Sequence, residues 1–286
     1  MRIQTPAKIN TLLYILGRRK DGFHELYMHM VPVSLYDTLT FSKNKKQLLN
    51  FQIRGAFFSE PDESNLVVRA VRAFEQVSGI TVNYDILLEK KIPHSAGLGG
   101  GSGNAAGVLK ALNYIFRNSP KSAGLIPQDS LYKIALELGS DVPFFLKPRP
   151  TEIRGRGEKL KYLPDYPKFF LIIIKPFFAI SSHEAYQNCI PKSEVNFPII
   201  RSFDDLNLQI KNQFELSLLV QYPELSKLKT LLLENGAFGA LVSGSGSAVY
   251  GVYNNKNKQY QAFKNLTCLQ IGEIFSCETL GNHCYF

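Results

Sequence analysis

Residues 93–106 read Pro-His-Ser-Ala-Gly-Leu-Gly-Gly-Gly-Ser-Gly-Asn-Ala-Ala, with five glycines between Gly97 and Gly103. An ordinary turn needs one or two glycines. Five in seven positions let backbone N–H groups converge on one point and admit a bulky anion. Val82, Tyr84, Ile86 and Leu88 alternate before the loop, as in a half-buried strand over 82–88. Ala105, Val108, Leu109, Leu112, Ile115 and Phe116 follow at helical spacing, which predicts a helix starting near Ser102. Strand, glycine loop and helix start together make a polyphosphate cradle, because the helix dipole adds to the loop's donors. The loop is not a Gly-x4-Gly-Lys-Ser/Thr P-loop, since no lysine follows its last glycine. The Gly-x-Gly-x-x-Gly dinucleotide spacing fails at Ser102 and at Asn104.

The 286 residues suggest about two domains. No run of 18 apolar residues predicts a membrane span, and Met1-Arg2-Ile3 leads into Gln-Thr-Pro-Ala-Lys without a secretory leader, so a soluble cytoplasmic protein is expected. Four cysteines without zinc-like spacing are expected as free thiols. Cys277, His283 and Cys284 lie close in sequence but make a poor ligand set, and no metal-ligating residues are assigned. The net charge of +9 is either a basic solvated surface or an attraction for polyanionic substrates; basic residues form no long block and no regular aromatic interleaving, which disfavours nucleic acid.

Further along the chain, the patterns predict strands over 1–16, 29–42 and 48–53, with a turn from Gly17 to Gly22. A polar turn at Ser59–Ser64 precedes a helix from Asn65 to Val77, capped by Ser64 and ended by Gly79. A second helix spans Asp129–Leu138, and a third Glu224–Glu234, ended by Gly236. Phe169–Ile174 and Val249–Tyr253 read as strands. Strands and helices intersperse without regular βα repeats, so the class is α+β. The proline-rich Lys147–Pro150 stretch is the expected boundary between domains at 1–150 and 151–286.

Three more segments could carry chemistry. In Pro6-Ala7-Lys8-Ile9-Asn10, Lys8 and Asn10 share a face if the chain is extended. In Leu138-Gly139-Ser140-Asp141-Val142-Pro143-Phe144-Phe145, a carboxylate follows a helix end and enters an apolar run: a general-base candidate, or a cap. Ser243-Gly244-Ser245-Gly246-Ser247, before a strand, is either a simple turn or a second small-residue loop that leaves room for a phosphate.

In this order, the segments resemble the GHMP kinases, whose motifs are Pro-x-Lys near the N-terminus, Pro-x3-Gly-Leu-Gly-Gly-Gly-Ser-Ser, and a glycine-rich turn near the C-terminus. Asp21-Gly22-Phe23-His24-Glu25-Leu26, Asn65-Leu66 and Arg154-Gly155-Arg156-Gly157-Glu158 extend the similarity to the branch acting on a cytidine diphosphate-linked methylerythritol, in non-mevalonate isoprenoid precursor synthesis. The resemblance implies a two-domain α+β bacterial enzyme, with its site in the cleft between domains. It implies ATP on Pro93, His94, Ser95, Ala96, Gly97, Leu98, Gly99, Gly100, Gly101, Ser102 and Gly103, with Asn65 and Lys91 on the adenine side. It implies Mg²⁺, Asp141 as general base for the 2-hydroxyl, and Lys8 as its partner. Asn10, Phe23, His24, Ser182, Tyr186, Ser243, Gly244 and Ser245 would bind the substrate, Phe23 and Tyr186 clamping the base while His24 reads its edge. The partner implied is a small molecule, without nucleic acid or membrane, bound by a monomer or weak homodimer. Gly103 replaces a usual serine, Phe23 a usual tyrosine, and His94-Ser95-Ala96 smaller residues. A homoserine or mevalonate kinase, and a non-catalytic nucleotide-binding regulator on the same fold, are the alternatives. The base-binding aromatics argue against the first, and intact Lys8 and Asp141 against the second.

Overall fold

A computed structural model describes residues 1–45, 48–57, 61–117, 126–192 and 197–281. Residues 59 and 60 of the expected polar turn, and His283 and Cys284 of the sparse ligand set, lie outside the described residues. The elements run β1 (Arg2–Arg18), β2 (His24–Lys43), β3 (Asn50–Gly55), α1 (Leu66–Ser78), β4 (Tyr84–Lys90), α2 (Gly100–Phe116), α3 (Gln128–Leu138), α4 (Val142–Leu146), β5 (Thr151–Gly155), β6 (Lys159–Tyr162) and β7 (Phe170–Lys175). They continue with α5 (Ser182–Gln187), α6 (Phe203–Gln209), β8 (Lys211–Asn212), α7 (Glu215–Gln221), α8 (Pro223–Glu234), β9 (Gly239–Val242), β10 (Val249–Tyr253), α9 (Lys256–Thr267) and β11 (Glu273–Glu278). Among the described residues, no helix is long and apolar enough to cross a membrane.

One sheet has the order β3-β4-β2-β1-β8, with β5 on β2 and β6 on β5; the other is β11-β7-β10-β9, antiparallel throughout. Because β5 and β6 extend the first sheet, that sheet runs past the proline-rich stretch. After Tyr162 the chain enters the second sheet at Phe170, and β8 later returns to the first. The two sheets share an apolar layer, with Ala7, Ile9, Val31 and Val33 meeting Leu171, Ile173, Tyr250 and Val252. Ile172 and Ile174 point the other way, into the larger helix-lined core. The continuous apolar run of β7 is therefore buried on both faces, as its lack of alternation suggests.

Helix boundaries differ from expectation in two places. Asn65, not Ser64, caps α1: its side chain accepts from the Val67 N–H at 3.0 Å, while the Ser64 hydroxyl is spent on Asp62 at 2.6 Å. Helix α2 starts at Gly100, two residues before Ser102. Gly99, at φ 70°, turns the chain, and Gly100 packs so closely that a Cβ would lie 2.9 Å from both Ile92 and the Lys90 ammonium. Packing here overrides the poor helix propensity of glycine.

Candidate active site

Strand β1 must place Lys8 and Asn10 on the side of α2, and a regular strand would not. Ile3, Leu13 and Ile15 face the helix-lined core, yet Ala7 and Ile9 face the opposite layer. Residues an even number apart should share a face, so the strand has been turned over twice. Register shifts between Pro6 and Ala7 and between Asn10 and Leu12 do this. Only the segment carrying Lys8 and Asn10 is inverted, and both side chains reach one cavity of about 1090 Å³.

In that cavity, the buried Lys8 ammonium donates to Asn10 Oδ1 at 2.7 Å and lies 3.6 Å from Asp141 Oδ2. Asp141 stands at the N-cap position of α4, but its carboxylate makes no cap bond. The cap reading therefore fails, and the group that could have closed the helix start faces a cation instead. Lys8 is also fixed through its backbone, whose N–H donates to the Leu98 carbonyl at 2.9 Å. Strand and glycine loop are thereby tied together.

The loop itself wraps against the second small-residue turn. Ser243 Oγ donates to the Gly97 carbonyl at 2.9 Å, and the Ala248 N–H donates to the Ala96 carbonyl at 3.3 Å. Gly97, at φ 69°, has no room for a side chain: a Cβ would sit 1.8 Å from the Ser243 carbonyl oxygen. Gly99–Ser102 line the cavity at the start of α2, where a helix leaves its first N–H groups without internal acceptors. Behind them is a buried polar cluster. Asp37 accepts from Lys90 Nζ (2.6 Å), from the Lys91 and Ile92 N–H groups (2.7 and 2.8 Å) and from Asn104 (2.9 Å). Burial pulls the Lys90 ammonium below the ordinary lysine range, against the opposing charge of Asp37. Every atom of this cluster is partnered, so the strand leading into the loop is held without a costly orphan.

At the far end, His24 stacks on Tyr186 with ring centroids 5.0 Å apart, and Tyr186 meets Phe214 edge-on at 4.8 Å. Burial first, and then the Arg18 charge, hold His24 below its ordinary pKa, so it is neutral at neutral pH. Burial, with the charges of Lys90 and Lys175, does the same to His94. Phe23 is 44% exposed, and the Arg156 guanidinium lies over its ring. Ser182 and Ser245 join their hydroxyls at 2.8 Å.

The cavity thus gathers Lys8, Asn10, Phe23, His24, the 93–102 loop, Asp141, Ser182, Tyr186, Gly244 and Ser245. Asn65, Lys91, Gly103 and Ser243 are not on its lining, although Leu66, next to Asn65, is. Ser243 is buried beneath the turn. Gly103 faces away: a Cβ there would meet the Pro6 carbonyl oxygen at 3.1 Å and the Phe145 ring at 3.4 Å. The serine it replaces would therefore have pointed at protein, not into the cavity. Arg18, Arg156, His183, Gln187 and Cys189 line the cavity without having been singled out as site residues. Arg156 alone had a signal, lying in the Arg-Gly-Arg-Gly-Glu motif. Among the described residues no cluster of three or more metal-ligating side chains occurs, and Asp141 is the carboxylate on the cavity wall.

Residues 65–148 match the model of the GHMP kinases N terminal domain, and residues 199–269 that of the GHMP kinases C terminal domain. The 4-diphosphocytidyl-2-C-methyl-D-erythritol kinase of Syntrophus aciditrophicus is 38% identical over 92% of this chain and 93% of its own. That of Thermodesulfovibrio yellowstonii is 35% identical over 90% and 91%. A crystal structure of 4-(cytidine 5'-diphospho)-2C-methyl-D-erythritol kinase superposes with a TM-score of 0.83 at 30% identity, covering 98% of this chain and all of the other. Homoserine kinase from Cytophaga hutchinsonii shares the fold, with a TM-score of 0.69 at 16% identity over 98% and 96% of the two chains. With both GHMP domains in order around one cavity, this chain belongs to the GHMP kinases and, within them, to the 4-diphosphocytidyl-2-C-methyl-D-erythritol kinase family.

Proposed function

We propose that this chain transfers the γ-phosphoryl group of ATP to the 2-hydroxyl of 4-diphosphocytidyl-2-C-methyl-D-erythritol, with Asp141 as general base and Lys8 as its partner. The observation that carries the reading is the 3.6 Å approach of Lys8 Nζ to Asp141 Oδ2, in the cavity that the glycine loop also lines.

The acceptor is a tertiary alcohol and a poor nucleophile until its proton leaves. Asp141, without a cap bond to satisfy, is free to take that proton; such catalysis is typically worth about 10²–10⁴ in rate. Lys8, oriented by Asn10, lies beside the carboxylate and offsets negative charge developing on the alkoxide. The N–H groups at the start of α2 receive the phosphates, and the Asp37–Lys90 cluster holds that start in place. Phosphoryl transfer needs little else from the protein besides positioning. Mg²⁺ would neutralise charge on the phosphates. The Ser102 hydroxyl, at the start of α2, is the protein oxygen that would meet it beside the phosphate oxygens. Phe23, His24 and Tyr186 supply rings for a pyrimidine, which homoserine and mevalonate lack. A cytoplasmic enzyme acting as a monomer or weak homodimer goes with this reading.

The test is a coupled ADP-release assay with the cytidyl substrate, homoserine and mevalonate. The expected result is turnover with the first and none above background with the others. Turnover with homoserine or mevalonate alone would sink the assignment.

A further inference from the structure

The turn Arg154-Gly155-Arg156-Gly157-Glu158 joins β5 to β6 and has no part in the phosphoryl chemistry above. It is tightly built. Glu158 Oε2 accepts the Arg156 N–H at 2.6 Å, and the Tyr132 hydroxyl donates to the Glu158 carbonyl. A side chain at Gly157 would come within 2.3 Å of the carbonyl oxygen of Ser140, so the turn rests against the residue before Asp141. The surrounding acids are already engaged. Arg19 holds Asp21 at 3.0 Å, Glu25 at 2.8 Å and Glu158 at 3.4 Å. Among the described residues, no carboxylate lies within ion-pair distance of the Arg156 guanidinium. That guanidinium lies 4.6 Å over the Phe23 ring and lines the main cavity, as Arg18 does.

We propose that Arg156 is a substrate-binding residue at the cytidine end of the cavity: it braces the Phe23 ring with its planar face and donates edge N–H groups to the diphosphate of the acceptor. A guanidinium is suited to both tasks at once, because it stacks on aromatic faces and forms paired, charge-assisted bonds to phosphate. A fixed backbone and a guanidinium outside any ion pair are what such a residue needs. The inference rests on the cytidyl-kinase reading above and deepens it by assigning recognition of the diphosphate to a specific side chain.

The experiment titrates CDP and cytidine into the wild-type chain, Arg156→Met and Arg156→Lys, and measures KM for the cytidyl substrate and for ATP in all three. Arg156→Met should weaken CDP binding at least tenfold and cytidine binding no more than threefold. KM for the cytidyl substrate should rise in parallel, with KM for ATP within twofold of wild type. Arg156→Lys, which keeps charge but not the planar fork, should recover part of the CDP affinity. CDP binding by Arg156→Met within twofold of wild type would overturn the assignment, as would equal losses for CDP and cytidine. Wild-type turnover of the cytidyl substrate, measured first, separates the two claims. Its absence removes the kinase reading itself, whereas normal wild-type turnover with an unchanged Arg156→Met removes only the role of Arg156.

Discussion

Asp141 shows how a residue's neighbours decide between two ordinary readings. In sequence such a carboxylate is a base candidate but more often a cap or turn residue; in space it leaves the cap bond unmade and lies beside Lys8. Asp141→Asn keeps the shape and removes the basic oxygen. Its turnover should fall at least 100-fold while ATP still binds, read by steady-state kinetics beside nucleotide titration. Near-normal turnover would take Asp141 out of the role. The pairing of Lys8 with Asn10 was legible from their spacing, because a period of two survives any local twist. Arg156 was visible only as a motif member, because nothing in a linear motif says which of its neighbours Arg19 will occupy. A second residue-scale prediction concerns His29, buried beside Tyr27 and held down to about 4 chiefly by burial. An ordinary histidine in the unfolded chain titrates near 6.5. Above that pH both states are neutral and His29 makes no pH-dependent contribution. As pH falls from 6.5 towards 4, the unfolded chain takes up a proton that the fold refuses, so stability is lost, by about 3 kcal/mol in all. The urea midpoint of wild type should fall relative to that of His29→Gln as pH drops across this window; parallel curves would contradict the assignment.

At the scale of elements, the site is made where regular structure is interrupted. The register shifts of β1 invert only the segment bearing Lys8 and Asn10, and the glycine loop ends where Gly99 turns the chain into α2. The alternation of β4, the stripes of α1 and α3 and the apolar run of β7 were legible, since each follows a period or a length. The inverted segment was not, although Pro6, which cannot donate to a sheet ladder, stands at the first of the two shifts and marks an irregularity there. The start of α2 was missed because tertiary contacts to Ile92 and Lys90, not propensity, set it. Two glycines of the loop should therefore respond in opposite directions. Gly97→Ala drives a methyl into the Ser243 carbonyl and forces a strained φ, so it should lower Tm and abolish ATP binding. Gly101→Ala meets only Leu66 at 3.4 Å, inside a helix where alanine is favoured by roughly 0.5–1 kcal/mol, so Tm should hold or rise. Thermal melts of both variants check this, and similar losses in both would refute the docking of loop on turn.

For the molecule as a whole, neither sheet suffices. The loop, Lys8 and Asp141 come from the part built on the first sheet, while Tyr186, Gly244 and Ser245 follow the strands of the second, and one cavity joins them. Its wall carries Lys8, Arg18 and Arg156 against Asp141, a local form of the net +9 charge, and that balance suits two polyanions meeting in one place. The claim that matters most is where the phosphoryl group goes. The direct test is a ³¹P NMR spectrum of the wild-type chain after reaction with ATP and 4-diphosphocytidyl-2-C-methyl-D-erythritol. A new phosphomonoester resonance should appear alongside ADP, with the cytidine diphosphate signals retained and coupled as before. ADP formed without that phosphomonoester, or phosphate added to the cytidine diphosphate chain, would contradict the account.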